Sequence, residues 1–513
     1  MVNMIESKKE LISEKEWIKH IDSLKTNKKS TKEELKKQIV GAVRKRIPKE
    51  RFGIFFSGGV DSSLIALICK QAKADFICYA VGLENAADIE AAKKAAKLLN
   101  VKLKFRIFNL KGAEKVIKST TEIVGPDVMK VGVGSVVYAA AQLAKKDKVN
   151  TFFSGLGSEE IFAGYERHVS AKNINKECWK GLKNMYQRDI LRDFPISEKL
   201  KINILAPFLD PDLIKTAMQI SGKEKLNREH KKLILRKVAE ELGLPKEIAW
   251  RPKKAAQYGS KFDRAILRLA RRQKLKYKKD YLMQFFPLGA LISSGKDSVF
   301  AMYRMMQQGY KIACLISIKS INPDSFMFHT PAIEMVKLQS KAFNIPLIEQ
   351  TTKGQKEIEL KDLKKAIERA KKKYNIKGIT TGALFSNYQK ERIEKIANEL
   401  ELKAFSPLWH MDQEDYMREI IRNNFKIILT RIAAEGLDES WLGKILTEKD
   451  IDRLIELNKK IKLSICGEGG EFETLVLDCP LFNKELKVIR TKKIMESKFS
   501  GTLIIIEIKL IKK

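Results

Sequence analysis

The chain reads as an α/β protein of two tandem domains, each a parallel sheet flanked by helices, with an α+β subdomain at the C-terminal end. Three observations predict this. First, a short device recurs: residues 52–63 read FGIFFSGGVDSS and residues 288–298 read LGALISSGKDS. Ser57 and Ser293 are 236 positions apart, a whole domain's length, so the repeat is a tandem pair and not a solenoid. Second, strand and helix patterns alternate after each copy, which implies parallel sheets with helices on both faces. Third, 513 residues with 44% apolar content suit about three domains, or two large ones, with a sizeable core.

The elements follow in order. Residues 1–48 are Lys/Glu-rich and read as a helical N-terminal extension (KEWIKHIDSLK, TKEELKKQIVGAVRKRI). Residues 49–260 form the first domain: the device, a strand in DFICYAVGL, a helix in DIEAAKKAAKLLN and a strand in LKFRIFNL. Residues 261–286 are strongly basic at their start and read as a helical arm and linker. Residues 287–400 repeat the alternation with KIACLISIK, PAIEMVKLQSKAFN, IPLIEQ, DLKKAIERAKKKYN and KGITTGAL. Residues 401–513 read as a C-terminal substrate-binding subdomain.

Composition excludes several classes. No apolar run approaches the roughly 18–20 residues of a membrane helix, and the N-terminus has no apolar signal core. Six scattered cysteines without a CxxC, and five histidines without HExxH or HxH, argue against disulfide scaffolds and zinc or iron–sulfur sites. The expected location is the cytoplasm. The formal charge is +36, but much of it is lysine spread over helical faces, whose usual meaning is a solvated surface. It concentrates at 251–280, which holds twelve Lys/Arg against two Asp. That stretch could meet RNA or the ribosome, or an acidic protein surface.

The device itself is phosphate chemistry. Small residues after a buried strand let the backbone approach an anion, and the N–H groups of the following helix point at it. Neither copy is a Walker A loop. Both copies resemble the PP-loop of the N-type ATP pyrophosphatases, which belong with the adenine nucleotide alpha hydrolase-like folds. That resemblance implies ATP held by the loop, attack on the α-phosphate, departure of pyrophosphate and capture of the adenylate by a nucleophile, often ammonia. It implies Mg²⁺ near the loop aspartates, Asp61 and Asp297.

From about residue 50 to 260 the first half resembles the synthetase domain of asparagine synthetase. Ser57-Gly58-Gly59-Val60-Asp61-Ser62-Ser63 matches the pyrophosphate loop. Val81 and Gly82, followed by Asp88, match the adenine-receiving strand and turn. Ser154-Gly155-Leu156-Gly157-Ser158-Glu159-Glu160 lines up with SGEGxDE, and Ala206-Pro207-Phe208-Leu209-Asp210 with the family's PFLD. Trp250-Arg251-Pro252-Lys253 matches the segment supplying a catalytic lysine. Leu156 departs from the pattern: the family's acid at that position is associated with amidation, and leucine can neither take a proton nor hold ammonium. Residue 2 is Val and the stretch before the loop is short, so a glutaminase domain is not expected there. The first half therefore reads as an ammonia-using amidating enzyme with an altered acceptor, as an adenylating site for something else, or as an ATP-binding docking module.

From about 287 to 505 the second half resembles diphthine–ammonia ligase. Ser293-Ser294-Gly295-Lys296-Asp297-Ser298 matches SGGKDS, with Ser294 in place of the first glycine. Ser317–Ser320 and Phe328-His329-Thr330-Pro331 match SIKS and MFHTP. Gly382, Ser386, Gln389 and Arg392 fall in GAIxSxYQKxR. Glu435, Asp438 and Trp441 fall in AAEGLDxSWLG, and Glu468, Glu471 and Glu473 in GEGGEFETLV. The resemblance implies an ATP-dependent amide ligase that adenylates the diphthine carboxylate of translation elongation factor 2 and amidates it with ammonia. By residue type, Lys296 would neutralise the leaving pyrophosphate, with Asp297 on the metal. Glu468 and Glu471 are catalytic candidates. His329, Ser386, Gln389, Glu435, Asp438, Glu473 and Trp441 are substrate candidates, the indole facing the quaternary cation. A PP-loop tRNA-modifying enzyme remains the second enzyme reading.

Overall fold

The computed structural model describes residues 11–26, 29–252, 255–320, 335–353 and 356–513. The chain divides into two compact units, Met1–Phe285 and Phe286–Lys513.

In the first unit five short apolar runs become parallel strands: β1 (Phe52–Phe55), β2 (Phe76–Leu83), β3 (Leu103–Phe108), β4 (Thr151–Phe153) and β5 (Asn203–Leu205), in spatial order β3-β2-β1-β4-β5. β1 and β2 are buried almost throughout, as parallel strands covered on both faces must be. Order reverses between β1 and β4, so the loops after these strands flank a crevice at their carboxyl ends. The N-terminal helices Glu14–Ser23 and Lys32–Arg44 each begin with a capping box. They bury Trp17, Ile21, Leu35 and Ile39 in the same core as the first loop's helix, Val60–Gln71.

The basic stretch 261–286 is not an arm. Helix Phe262–Arg272 buries Phe262, Ala265, Ile266, Leu269 and Ala270 against the layer covering β2, and helix Lys278–Met283 buries Tyr281, Leu282 and Met283. Full burial of such side chains is worth about 1.5–3 kcal/mol each for the large ones. This apolar stripe, hidden among arginines, overrides the linker expectation, and the first unit ends at Phe285.

The second unit repeats the topology. β6 (Leu288–Leu291), β7 (Ile312–Ser320), β8 (Leu347–Thr352), β9 (Gly378–Thr380) and β10 (Lys403–Phe405) are parallel in the order β8-β7-β6-β9-β10, the first unit's order strand for strand. β10 lies in this sheet, so the C-terminal subdomain starts after it and not at residue 401. That subdomain contains helices Gln413–Arg422 and Glu448–Ile461 and an antiparallel sheet. Its strands are β11 (Lys426–Ala433), β12 (Phe472–Asp478), β13 (Lys484–Ser497) and β14 (Ser500–Lys512), ordered β12-β11-β14-β13. All six cysteines are buried and unpaired.

Candidate functional sites

The two loops share one internal bonding scheme. In the first unit the Ser57 N–H donates to Ser62 Oγ (3.3 Å), and the Ser62 hydroxyl donates to the Gly59 carbonyl (3.4 Å). In the second, the Ser293 N–H donates to Ser298 Oγ (3.1 Å), and Ser298 donates to the Gly295 carbonyl (3.1 Å). Gly59 and Gly295 each precede the first turn of a helix and carry no side-chain cap, so each loop presents a helix N-terminus suited to phosphate. Gly58 sits at φ 64°, where a Cβ would come 2.4 Å from the Ala91 carbonyl oxygen. Ser294 occupies the equivalent left-handed position at φ 73°. Its carbonyl accepts from Gln339 Nε2 (3.0 Å) and from the Val476 N–H (3.1 Å), which hold the strained turn in place.

A second glycine guards each loop at the switch point. Gly155, two residues beyond β4, would bring a Cβ 3.1 Å from Asp61 Cβ. Gly382, two residues beyond β9, would bring one 2.6 Å from the Asp297 carbonyl carbon. Ser154, also expected at the nucleotide, follows β4 and donates its N–H to the Leu205 carbonyl (2.9 Å).

In the first unit Asp61 is buried, and both its oxygens accept from Lys232 Nζ (2.8 and 2.9 Å). The same ammonium pairs with Glu159 (2.8 Å), and Ser158 donates to Asp61. Asp61 was expected to hold Mg²⁺; here its oxygens are spent on an ammonium, and that donor set does not fit a divalent cation without displacing Lys232. Arg251 Nη1 donates to the carbonyls of Ser57 and Gly58 (3.2 Å each), bracing the loop. Val81 and Gly82 are buried in β2, and the next N–H, of Leu83, is already bonded to the Ser260 carbonyl (2.9 Å). Ser63 is buried, and its hydroxyl has no hydrogen-bond partner among the described residues. Leu156 packs on the apolar core. Beside it Glu160 is buried against Arg188, which a short π-helix, Tyr186–Ile190, swings in. Burial first, then the charge of Asp189, raises the Glu160 pKa. Lys253 lies outside the described residues.

In the second unit the C-terminal subdomain closes on the loop. Lys296 is buried, and its Nζ donates to the Cys466 carbonyl (2.6 Å) and to Asp297 (3.0 Å). The ammonium was expected to point at a leaving pyrophosphate; here it ties the loop to the segment before GEGGEFET. The Lys296 N–H donates to Thr474 Oγ1 (3.1 Å), and Tyr416 OH donates to Asp297 (2.5 Å). Glu468 is exposed at the turn that follows Cys466. Its pKa is raised, first by desolvation and then by the charge of Asp297, with Lys296 opposing. Both Asp297 oxygens lie 3.0 Å from the Lys296 ammonium, but unlike Asp61 the side chain stays 32% exposed, an open side for a Mg²⁺ arriving on a nucleotide, where one or two carboxylates suffice.

Other expected site residues serve the frame. Glu471 accepts the N–H groups of Ser464 (3.1 Å) and Gly469 (2.8 Å), so it shapes the acidic turn and is not a free catalyst. Glu473 faces Arg431 across β11 and β12. Asp438 caps the turn before Trp441 by accepting from Ser440. Trp441 is buried with Arg453 4.5 Å over its ring, so the face expected to meet a substrate cation is taken. Ser386 caps helix Asn387–Glu399 through the Gln389 N–H (3.3 Å). Glu435 is exposed. His329 lies outside the described residues. A cavity of about 600 Å³ lies between β13 and the turn at Leu442–Ile445, and no loop residue lines it.

Sequence reasoning missed Lys232, Arg188, Tyr416 and Thr474. Only Thr474 stood inside a quoted motif; Tyr416 lies in a helix, Arg188 in the π-helix, and Lys232 at the left-handed N-cap of helix Leu233–Glu241.

Two phosphate-binding loops of one topology, one of them enclosed by an acid-bearing subdomain, define an ATP-dependent carbon–nitrogen ligase. The chain belongs to the diphthine–ammonia ligase family. Over 229 residues it is 36% identical to the diphthine–ammonia ligase of Mus musculus, covering 41% of this chain and 85% of that protein. The human enzyme is 35% identical over the same length and coverage. The Diphthamide synthase N-terminal and C-terminal domain families match residues 288–404 and 412–511. The Asparagine synthase family matches 34–175 and 168–286. A putative asparagine synthetase [glutamine-hydrolyzing] 1 of Methanocaldococcus jannaschii is 34% identical over 284 residues, 47% of this chain and 52% of that one. Among solved structures, NMN synthetase from Francisella tularensis aligns at 12% identity and TM-score 0.28, over 50% of this chain and 92% of that one.

Proposed function

We propose that the second unit adenylates the diphthine carboxylate of translation elongation factor 2 and amidates it with ammonia to give diphthamide. A carboxylate oxygen attacks the α-phosphorus of ATP and pyrophosphate leaves. Ammonia then attacks the acyl carbon, AMP leaves, and the surplus proton of the new amide passes to a base. Glu468, exposed and with its pKa raised by desolvation and by the charge of Asp297, is the base this reading assigns. Mg²⁺ brought with ATP would rest on Asp297 and spread the phosphate charge. The observation that carries this reading is the closure of the acidic 466–474 segment on the loop through Lys296 and Thr474.

The first unit binds ATP without the ammonia step, because Leu156 is apolar where a proton acceptor is needed. The test is ATP–pyrophosphate exchange by the full chain with diphthine-bearing elongation factor 2. Asp297→Ala should lower exchange by about 10²–10³-fold, the scale of losing one preorganised charge. Asp61→Ala should leave it near wild type. Absence of exchange by folded wild-type protein with Mg²⁺ overturns the proposal, and equal loss from both variants reassigns the chemistry.

A further inference from the structure

We infer that the outward face of helix Phe262–Arg272 and the turn after it form an RNA-binding surface on the first unit. Its inner face is apolar and buried; its outer face carries Arg264, Arg268, Arg271 and Arg272, followed by Lys274, Lys276 and Lys279, all exposed. None of these seven has an acid partner among the described residues. The two local acids are consumed internally: Asp263 holds Lys278 (2.6 Å), and Asp280 accepts the Tyr277 N–H (3.3 Å). Unneutralised cations fixed on a packed helix are an electrostatic footprint and not a solvated lysine coat.

Residue type favours phosphate. The chain holds 22 arginines among its 99 Lys and Arg, yet four fall within nine residues here. A guanidinium grips phosphate through two donors at fixed geometry. Arg264 to Arg272 spans about 12 Å of helix, matching three to four phosphates along one strand of a duplex. The large apolar side chains exposed between residues 255 and 285 are Tyr258 and Tyr277, aromatic rings of the kind on which bases stack, that of Tyr277 with Lys276 Nζ 5.2 Å over one face. Aliphatic residues that would form the dry centre of a protein interface are not exposed there. The β13–β14 ribbon is the contrast, exposing Ile489, Ile494, Ile504, Ile506 and Ile511. The arginine helix also starts at the rim of the first loop's crevice: Ser260 accepts from Leu83 at the end of β2, and Lys261 donates to the Glu84 carbonyl (3.1 Å). Bound RNA would therefore lie beside the nucleotide site of the first unit.

The experiment is fluorescence anisotropy of the full chain with a labelled folded RNA transcript across a salt series. Four neutralised phosphates on a duplex predict a roughly 150-fold loss of affinity for a fourfold rise in salt. Arg264→Ala/Arg268→Ala/Arg271→Ala/Arg272→Ala should weaken binding by about tenfold or more and lower the logarithmic salt slope by about three to four. ATP binding and the unfolding transition should be kept, since the buried face is untouched. Lys487→Ala/Lys492→Ala on the ribbon should change neither affinity nor slope. Unchanged affinity in the arginine variant, or equal loss in the ribbon variant, overturns the inference. Polyglutamate binding as tightly as RNA at the same salt overturns it in favour of an acidic protein partner.

Discussion

The loops Ser57–Asp61 and Ser293–Asp297 are the same object in two settings. They share strand order, serine bonding and a guarding glycine two residues beyond the neighbouring strand. They differ in what answers the loop aspartate. In the second unit the cation is the adjacent residue, Lys296, and a neighbouring subdomain supplies Tyr416, Thr474 and Glu468. In the first, Val60 occupies the equivalent position and the cation arrives from Lys232, 171 residues away. A buried carboxylate needs a partner wherever the fold can find one. The first site therefore closes on itself around an internal ion pair, while the second leaves its aspartate one-third open near Glu468.

That difference can be broken from either side. The largest effect should come from Lys232→Met. Asp61 would stay buried with the Ser158 hydroxyl but without its ammonium, costing about 3–5 kcal/mol in the first unit by urea unfolding. Lys296→Met should cost less, about 1–3 kcal/mol, because Asp297 keeps water and Tyr416. Equal costs would mean that the two aspartates sit in equivalent settings after all.

Next comes acid. His168 is buried in the first unit, where its Nδ1 accepts the Tyr165 N–H (3.1 Å). Burial, aided by the charge of Arg167, pushes its pKa down from 6.5 to about 4. The folded state thus favours the neutral ring. Its contribution is complete above about pH 6.5 and is lost as pH falls toward 4, by about 3 kcal/mol at most. The second unit's described histidine, His410, is exposed. The first unit should therefore lose stability over that range, and His168→Asn, which keeps an acceptor without the titration, should flatten the profile. A profile unchanged by the substitution would remove His168 as the cause.

The smallest effect should be Ser294→Gly. It relieves a non-glycine residue at φ 73° but adds chain entropy to the unfolded state, so a gain of about 1 kcal/mol or less is expected. A loss would mean that the Ser294 side chain contributes more than the turn's strain costs.

Much of this was legible in the chain. The doubled device, the alternation of strands and helices, and the glycines at 58, 155 and 382 are local features, and a few adjacent residues suffice to specify them. The basic helix was half legible: Phe262, Ala265, Ile266 and Leu269 keep helical spacing, but the arginines between them pointed toward an arm. Trp441 and Glu473 were misread because residue type alone does not show that Arg453 or Arg431 already stands opposite.

The sequence by itself determined two phosphate loops at the ends of parallel strands, and which half carries the ligase motifs. Only the tertiary structure decided the partners: Lys232 for Asp61, Tyr416 for Asp297 across 119 residues, and Thr474 for the Lys296 N–H across 178. Backbone turns follow from neighbours in the chain. The pairing of buried charges follows from which distant side chains folding brings within hydrogen-bond reach and shuts away from water.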